Sequence, residues 1–209
     1  MTRVHLGLPA ALMLLVSWPA EAQPDETHSV VGFRTRFGGR YDDVRMCVAT
    51  SAGVKGGPAG DVAAFVELPL KQNLGLDLDL PVFRPVFFGA SFDMLQFEPS
   101  ASLRFRRITA GKVDPIAGPT LGVSLHYGPD YESTNRGAGR GPSFFAVGPI
   151  FGGYGGLDFK RPGKPSNVQL GVTAYATPLF SVDDPADHRG IVIGGSLDAS
   201  FRFALAPGR

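Results

Sequence analysis

The chain has 209 residues, 44% hydrophobic and 19% charged, with 28 Gly, 18 Pro, 16 Phe and one Cys. That much Gly and Pro excludes a helical bundle, and 20 Lys plus Arg against 19 Asp plus Glu leave no cationic excess for the phosphates of a nucleic acid. The single Cys47 permits neither an intramolecular disulfide nor a cysteine-based zinc site.

Residues 1–22 read as an export signal. Arg3 makes a positive start, Leu6 to Trp18 is a mostly apolar run too short to span a bilayer as a helix, and Ala20-Glu21-Ala22 is a small-residue cleavage site. A short lead, 23–28, follows. Cys47 lies far from the cleavage site, so no lipid-modified amino-terminal cysteine is expected.

From 29 to 205 the organising period is two, and helical periodicity is nearly absent. Near the amino terminus two segments compete to be the first strand: Val30 to Arg40, with Val31, Phe33 and Phe37 on one face, and Val44 to Gly53, with Val44, Met46 and Val48 on one face. Seven further strands then follow. Val62, Ala64, Val66, Leu68 and Leu70 alternate with Phe65 and Glu67; Leu74, Leu76, Leu78 and Leu80 with Gly75, Asp77 and Asp79. Leu95, Phe97, Ala101, Leu103 and Phe105 oppose Gln96, Glu98, Ser100, Ser102, Arg104 and Arg106. Val113, Ala117, Leu121, Val123, Leu125 and Tyr127 oppose Asp114, Thr120, Ser124 and His126. Phe145, Val147, Phe151, Leu157 and Phe159 oppose Tyr154, Asp158, Lys160 and several glycines; Val168, Leu170, Val172 and Ala174 oppose Gln169, Thr173 and Tyr175. Ile191, Ile193, Leu197, Phe201, Phe203 and Leu205 oppose Ser196, Asp198, Ser200 and Arg202 in the last strand, before a tail at 206–209. One amino-terminal strand brings the total to eight; ten is the alternative, if both candidates are strands and 84–94 hides another.

Strands without crossover helices call for an antiparallel sheet, and one-sided alternation of this length calls for an up-and-down barrel. Composition decides which face is inside. A solvated face should be rich in long charged chains, whereas a narrow lumen needs small polar residues and a few paired charges; here the polar faces are mostly Gly, Ser and Thr, and most lysines fall at the short links 71–73, 108–112 and 160–165. The apolar face is therefore expected outward, against lipid. Phe105, Tyr127, Phe145, Phe159, Phe201 and Phe203 sit towards strand ends, where interfacial girdles form. Short links alternate with longer ones at 84–94, 128–142 and 181–188, as inner turns and outer loops do. In these features the chain resembles the small outer-membrane β-barrel proteins of Gram-negative bacteria, such as the barrel domain of outer membrane protein A. The resemblance is architectural and implies a location in the bacterial outer membrane, contact with its lipid and lipopolysaccharide, and insertion by the barrel-assembly machinery. It carries no functional residues. Those barrels usually end on an aromatic residue, whereas here Phe203 is followed by Ala204 to Arg209.

Pro99, Pro115, Pro119, Pro149 and Pro178 fall within strands on the apolar face, where a missing N–H leads us to expect bulges. Glu67, Asp77, Asp79, Glu98, Asp114, Asp158 and Asp198 share the lumen face with Arg104, Arg106, Lys160 and Arg202, and isolated charges there would be costly. A pairing network is expected, with Arg104 and Arg106 meeting Asp77, Asp79 or Asp114 on the adjacent strands. Ser124 and His126 are the one serine–histidine pair that invites comparison with lipid-modifying hydrolases of this membrane, but they have lumen parity and no third group to align them. The run from Gly152 to Gly156 precedes no helix, so it reads as packing around Tyr154 rather than a phosphate loop. Asp183, Asp184, Asp187 and His188 read as an acidic turn around Pro185, with a divalent cation as the alternative.

The expected function is a monomeric, non-enzymatic membrane barrel without cofactor, catalytic residue or metal. It would act structurally or through outer loops carrying Tyr131, Arg136 and Arg140. A narrow channel or a barrel binding a hydrophobic solute is the alternative, and a lipid A-modifying hydrolase the remoter one.

Overall fold

The computed structural model describes residues 28–42, 56–83, 95–129, 143–160, 166–182 and 189–205, and among these there is no helix. The strands are β1 Val30–Asp42, β2 Gly56–Lys71, β3 Leu74–Phe83, β4 Leu95–Phe97, β5 Ser100–Arg106, β6 Val113–Pro129, β7 Ser143–Phe159, β8 Ser166–Ser181 and β9 Arg189–Ala204. β4 and β5 are two pieces of one strand, because Leu95↔Tyr127 and Arg106↔Ile116 lie on a single unbroken register against β6. Successive strands pair antiparallel, and β1 closes the ring on β9 from Val30↔Ala204 to Asp42↔Val192. The result is a closed eight-stranded antiparallel barrel.

Of the two candidates for the first strand, Val30–Asp42 forms it. The rival 44–53 lies outside the described residues, as do 1–27, 84–94, 206–209 and the loop tips with Tyr131, Arg136, Arg140 and Asp183 to His188. The two-residue turn Gln72–Asn73, the link 107–112, the start of β1 and the end of β9 share one end of the barrel, called here the terminal end. The opposite end is the loop end.

Burial is inverted relative to a water-soluble domain. Leu197 is 68% exposed while its neighbour Asp198 is 3% exposed. Phe33, Phe37, Leu80, Leu121, Phe151, Val172 and Phe201 point outward in the same way, and the buried set is dominated by charged and hydroxyl side chains. Outward aromatics gather at both ends. Phe33 stands opposite Phe201 towards the terminal end, with Phe203 and Phe105 nearby in the same tier, while Tyr127 stands opposite Phe145 towards the loop end.

The prolines do not produce the expected bulges. Pro115, Pro119 and Pro149 sit in the unshifted β6–β7 register, and Pro178 sits opposite Ile191 in an unshifted β8–β9 register. At Pro99 the strand merely breaks into β4 and β5, and the Pro99 carbonyl still accepts from Val123 N–H at 3.1 Å. A proline removes one donor, and continuous registers on flanking pairs hold its strand in line across that local gap. The two register shifts lie elsewhere, both on β2–β3, between Val62 and Ala63 and between Pro69 and Lys71.

Candidate functional site: a charged lumen in three layers

The middle layer is built around Arg34, a residue with no exposed surface. It projects inward from β1, passes over β2 and reaches β3. Its Nη2 lies 2.6 Å from Asp77 Oδ2, its Nη1 lies 2.5 Å from Asp79 Oδ2, and its Nε donates to Ser200 Oγ at 2.8 Å. Phe65 of β2 forms the shelf beneath this crossing, with its ring centroid 4.7 Å from the guanidinium carbon. The shelf needs Gly32, directly opposite on β1, because a Cβ there would come within 2.7 Å of the Phe65 ring. Arg104 of β5 completes the layer: its Nε donates to Asp77 Oδ2 at 3.1 Å and its guanidinium stacks 3.8 Å from the Tyr154 centroid. Arg36 bridges Asp79 at 3.0 Å and Asp61 at 3.8 Å. Three guanidinium groups thus face three carboxylates, with two aromatic rings as walls. The Tyr154 ring lies so close over Gly156 and Gly171 that neither position has room for a Cβ; of the glycine run only Gly156 packs under this ring, Gly152 being closed by Ala174 and Tyr175 and Gly155 facing open space.

Towards the terminal end, Arg202 of β9 and Arg106 of β5 share two carboxylates. Arg202 reaches Asp158 at 2.7 Å and Glu67 at 2.5 Å; Arg106 reaches Glu67 at 3.2 Å and Asp158 at 3.3 Å. This departs from the expected pairing of Arg106 with Asp77, Asp79 or Asp114. Its partners sit on β2 and β7, one strand beyond its neighbours, while Asp77 and Asp79 on the adjacent strand are already held by Arg34, Arg36 and Arg104. Asp114 instead takes Lys160 Nζ at 3.0 Å and the Thr109 backbone N–H at 2.8 Å. A vestibule of about 500 Å³ opens at this end, bordered by Lys71, Lys112, Lys160, Arg106 and Arg202.

Towards the loop end, Arg40 Nη2 lies 3.1 Å from Glu98 Oε2, and Arg40 Nε donates to the Tyr175 hydroxyl at 2.9 Å. Ser124 Oγ lies 2.8 Å from Glu98 Oε1 and 2.8 Å from His126 Nε2, and Glu98 Oε1 is 3.3 Å from that same nitrogen. The structure therefore supplies the third group that the sequence did not reveal. Its geometry is not that of a relay, because the acid meets the serine and the serine-facing nitrogen instead of holding the far side of the imidazole. Ser124 and His126 are also fully buried, with no outward access to lipid. Asp198 is held by hydroxyls, those of Thr173 and Ser196, rather than by a cation. Among the described residues no group of three or more His, Cys, Asp or Glu is placed to hold a metal.

Arg34, Arg36, Arg40 and Asp61 belong to this lumen, and the sequence reading did not single them out. The signal was present: Val31, Phe33 and Phe37 on one face of β1 put Arg34, Arg36 and Arg40 on the other. The small void of about 70 Å³ at the loop end and the terminal vestibule both border Arg104, and the Arg34–Asp77–Asp79 plane lies between them.

No family model matches the chain, and no curated protein matches it at a significant level. Among solved structures the barrel is similar to Neisserial surface protein A, with a TM-score of 0.61 at 13% identity over 86% of this chain and 97% of that one. Matches also extend to the amino-terminal β-barrel domain of OprF from Pseudomonas aeruginosa (TM-score 0.39, 15% identity, 85% of this chain, 98% of that one). Ail, the attachment invasion locus protein of Yersinia pestis, is a further match (TM-score 0.37, 12% identity, 84% of this chain, 99% of that one). At such identities the likeness is one of fold, and it transfers no residue role.

Proposed function

We propose that this chain is an integral protein of the bacterial outer membrane that works by its presence in the bilayer and through its loops, without turnover and without a wide pore. The observation that carries the reading is the inversion of burial: a water-soluble barrel would not expose Phe33, Phe37, Leu121, Phe151, Leu197 and Phe201 in one continuous band while placing arginines and aspartates inside. Strands of 13 to 17 residues in β1 and β6 exceed the roughly 9–11 residues that a tilted strand needs to cross a bilayer. The aromatic tiers fall where both interfaces would lie. Export by a cleaved signal at 1–22, insertion by the barrel-assembly machinery and contact of the monomer with outer-membrane lipid and lipopolysaccharide complete the proposal.

The ion-paired middle layer argues for a plugged lumen over the narrow-channel alternative, since a permeating solute would have to part Arg34 from Asp77 and Asp79. The burial of Ser124 and His126 argues likewise against the hydrolase reading. The test is electrophoresis of the purified chain in SDS with and without heating, joined to conductance across planar bilayers. A folded band of distinct mobility before heating, with no large stable conductance steps, supports the proposal. Recovery of the protein as a detergent-free soluble monomer sinks it, and large steps would move it into the channel class.

A further inference from the structure

The terminal end of the lumen is a blind cavity. Its vestibule of about 500 Å³ runs inward as far as Arg104, where the plane of Arg34, Asp77 and Asp79 shuts it off. Depth comes from Gly75, which holds the inward position on β3 before Asp77 and stands opposite Arg104, so that no side chain fills the slot. Arg104 is 3% exposed, and its buried Nη1 has no hydrogen-bond partner among the described residues.

Charge is sorted around this cavity. Arg106, Arg202 and Lys160 border it, whereas two of the carboxylates that hold them, Asp158 and Asp114, do not; Glu67 alone of the three acids does. The cations therefore face the cavity with most of their countercharge behind them. These three cations and three carboxylates balance, and Lys71 and Lys112 are left over. Both are exposed at the rim, and neither makes an ion pair with a described residue. Lys160 N–H donates to Lys112 O at 2.8 Å, one step past Val113↔Phe159, so two lysines of lumen parity stand opposite each other where the ladder ends. Like charges directly opposed across a ladder are destabilising, and of the two only Lys160 has a carboxylate, Asp114.

We infer that the vestibule is a binding site for a soluble phosphate monoester, its phosphate held at the rim by Lys71, Lys112 and Lys160. Such a group carries about −1.5 to −2 at neutral pH, which matches the two surplus lysines, and it relieves the opposition of Lys112 and Lys160. The floor arginines keep their carboxylates and act through their field, which a blind cavity with low-dielectric walls focuses at its mouth. The volume exceeds what a bare phosphate fills and leaves room for an organic body beside Val30 and Pro69. A soluble ester is favoured over a lipid headgroup because the lining is almost entirely inward positions and end links, so the cavity opens along the lumen and not through the apolar wall.

The experiment uses wild type, Lys71→Gln, Lys112→Gln, Lys112→Arg and Arg107→Gln, the last an exposed cation of the same end that does not border the vestibule. Each is purified in octyl glucoside, a detergent without phosphate, and titrated by calorimetry with glycerol 3-phosphate, inorganic phosphate and glycerol. Wild type and Arg107→Gln are expected to bind one glycerol 3-phosphate per barrel, inorganic phosphate more weakly and glycerol not at all. Lys71→Gln and Lys112→Gln should each weaken binding about three- to five-fold, Lys112→Arg should retain it, and all five should keep the same heat-dependent mobility. Wild type that shows no saturable binding overturns the inference, as does Arg107→Gln weakening it as much as Lys112→Gln, which would report diffuse charge instead of a site. Repeating the titration in bilayer discs separates the two sources of phosphate. Loss of glycerol 3-phosphate binding when phosphatidylglycerol replaces phosphatidylcholine assigns the site to a lipid headgroup and overturns the soluble ligand; unchanged binding supports it.

Discussion

Replacing Arg34 by Gln removes the hub of the middle layer without opening a large cavity. In the native barrel Arg34, Arg36 and Arg104 oppose Asp61, Asp77 and Asp79, and Arg34 alone touches both Asp77 and Asp79. Its loss leaves Asp77 with Arg104 at 3.1 Å, Asp79 with Arg36 at 3.0 Å, and one uncompensated negative charge in a site closed to solvent. Stranding one buried charge costs about 3–5 kcal/mol. The lost bond to Ser200 Oγ adds about 1 kcal/mol. Changing Asp79→Asn in the same chain restores neutrality, so the double variant should be more stable than the sum of the single changes by about 2–3 kcal/mol. Urea titration of barrels folded in lipid vesicles, read by the band shift between folded and unfolded forms, measures all four corners of the cycle. Additivity within about 0.5 kcal/mol would refute the claim that these residues act as one network.

Three further expectations follow from other layers. Leu197→Arg, at the middle of the outward band, should cost about 2–4 kcal/mol, while Ser196→Arg, one residue away and inward, should depend instead on lumen crowding; unfolding titrations of the two separate the effects. Gly171→Ala should cost about 1–3 kcal/mol by overpacking against the Tyr154 ring, and Tyr154→Ala in the same chain should remove that penalty. If the serine–histidine pair were catalytic, Ser124→Ala and His126→Ala would abolish acyl release from lipopolysaccharide; the expected result is no release from wild type to begin with.

The last strand was legible because its apolar face, from Ile191 to Leu205, is broken only at Gly195, so one parity decided fifteen residues. β1 was harder, since 44–53 carries a similar alternation, and with the strand undecided its arginines could not be assigned to the lumen. Parity also has a limit that no reading of single strands overcomes. It placed Glu98 inside, but the meeting of Glu98 with Arg40 depends on how the ring closes β1 across the lumen from β4. Arg106 illustrates the same limit, because side-chain reach rather than strand adjacency selected Glu67 and Asp158. The prolines misled for a different reason: chain order reveals the missing donor but not the neighbouring ladders that hold the strand in register.

Which face of β9 meets lipid distinguishes this architecture from its inverse most directly. Nitroxide labels placed one at a time from 191 to 203, in a Cys47→Ser background and in lipid vesicles, report collisions with dissolved oxygen. High collision rates at 191, 193, 197, 199, 201 and 203 with low rates at 192, 194, 196, 198, 200 and 202 are expected. The opposite phase, or no period of two, would contradict a barrel with its charges inside and its apolar wall in the membrane.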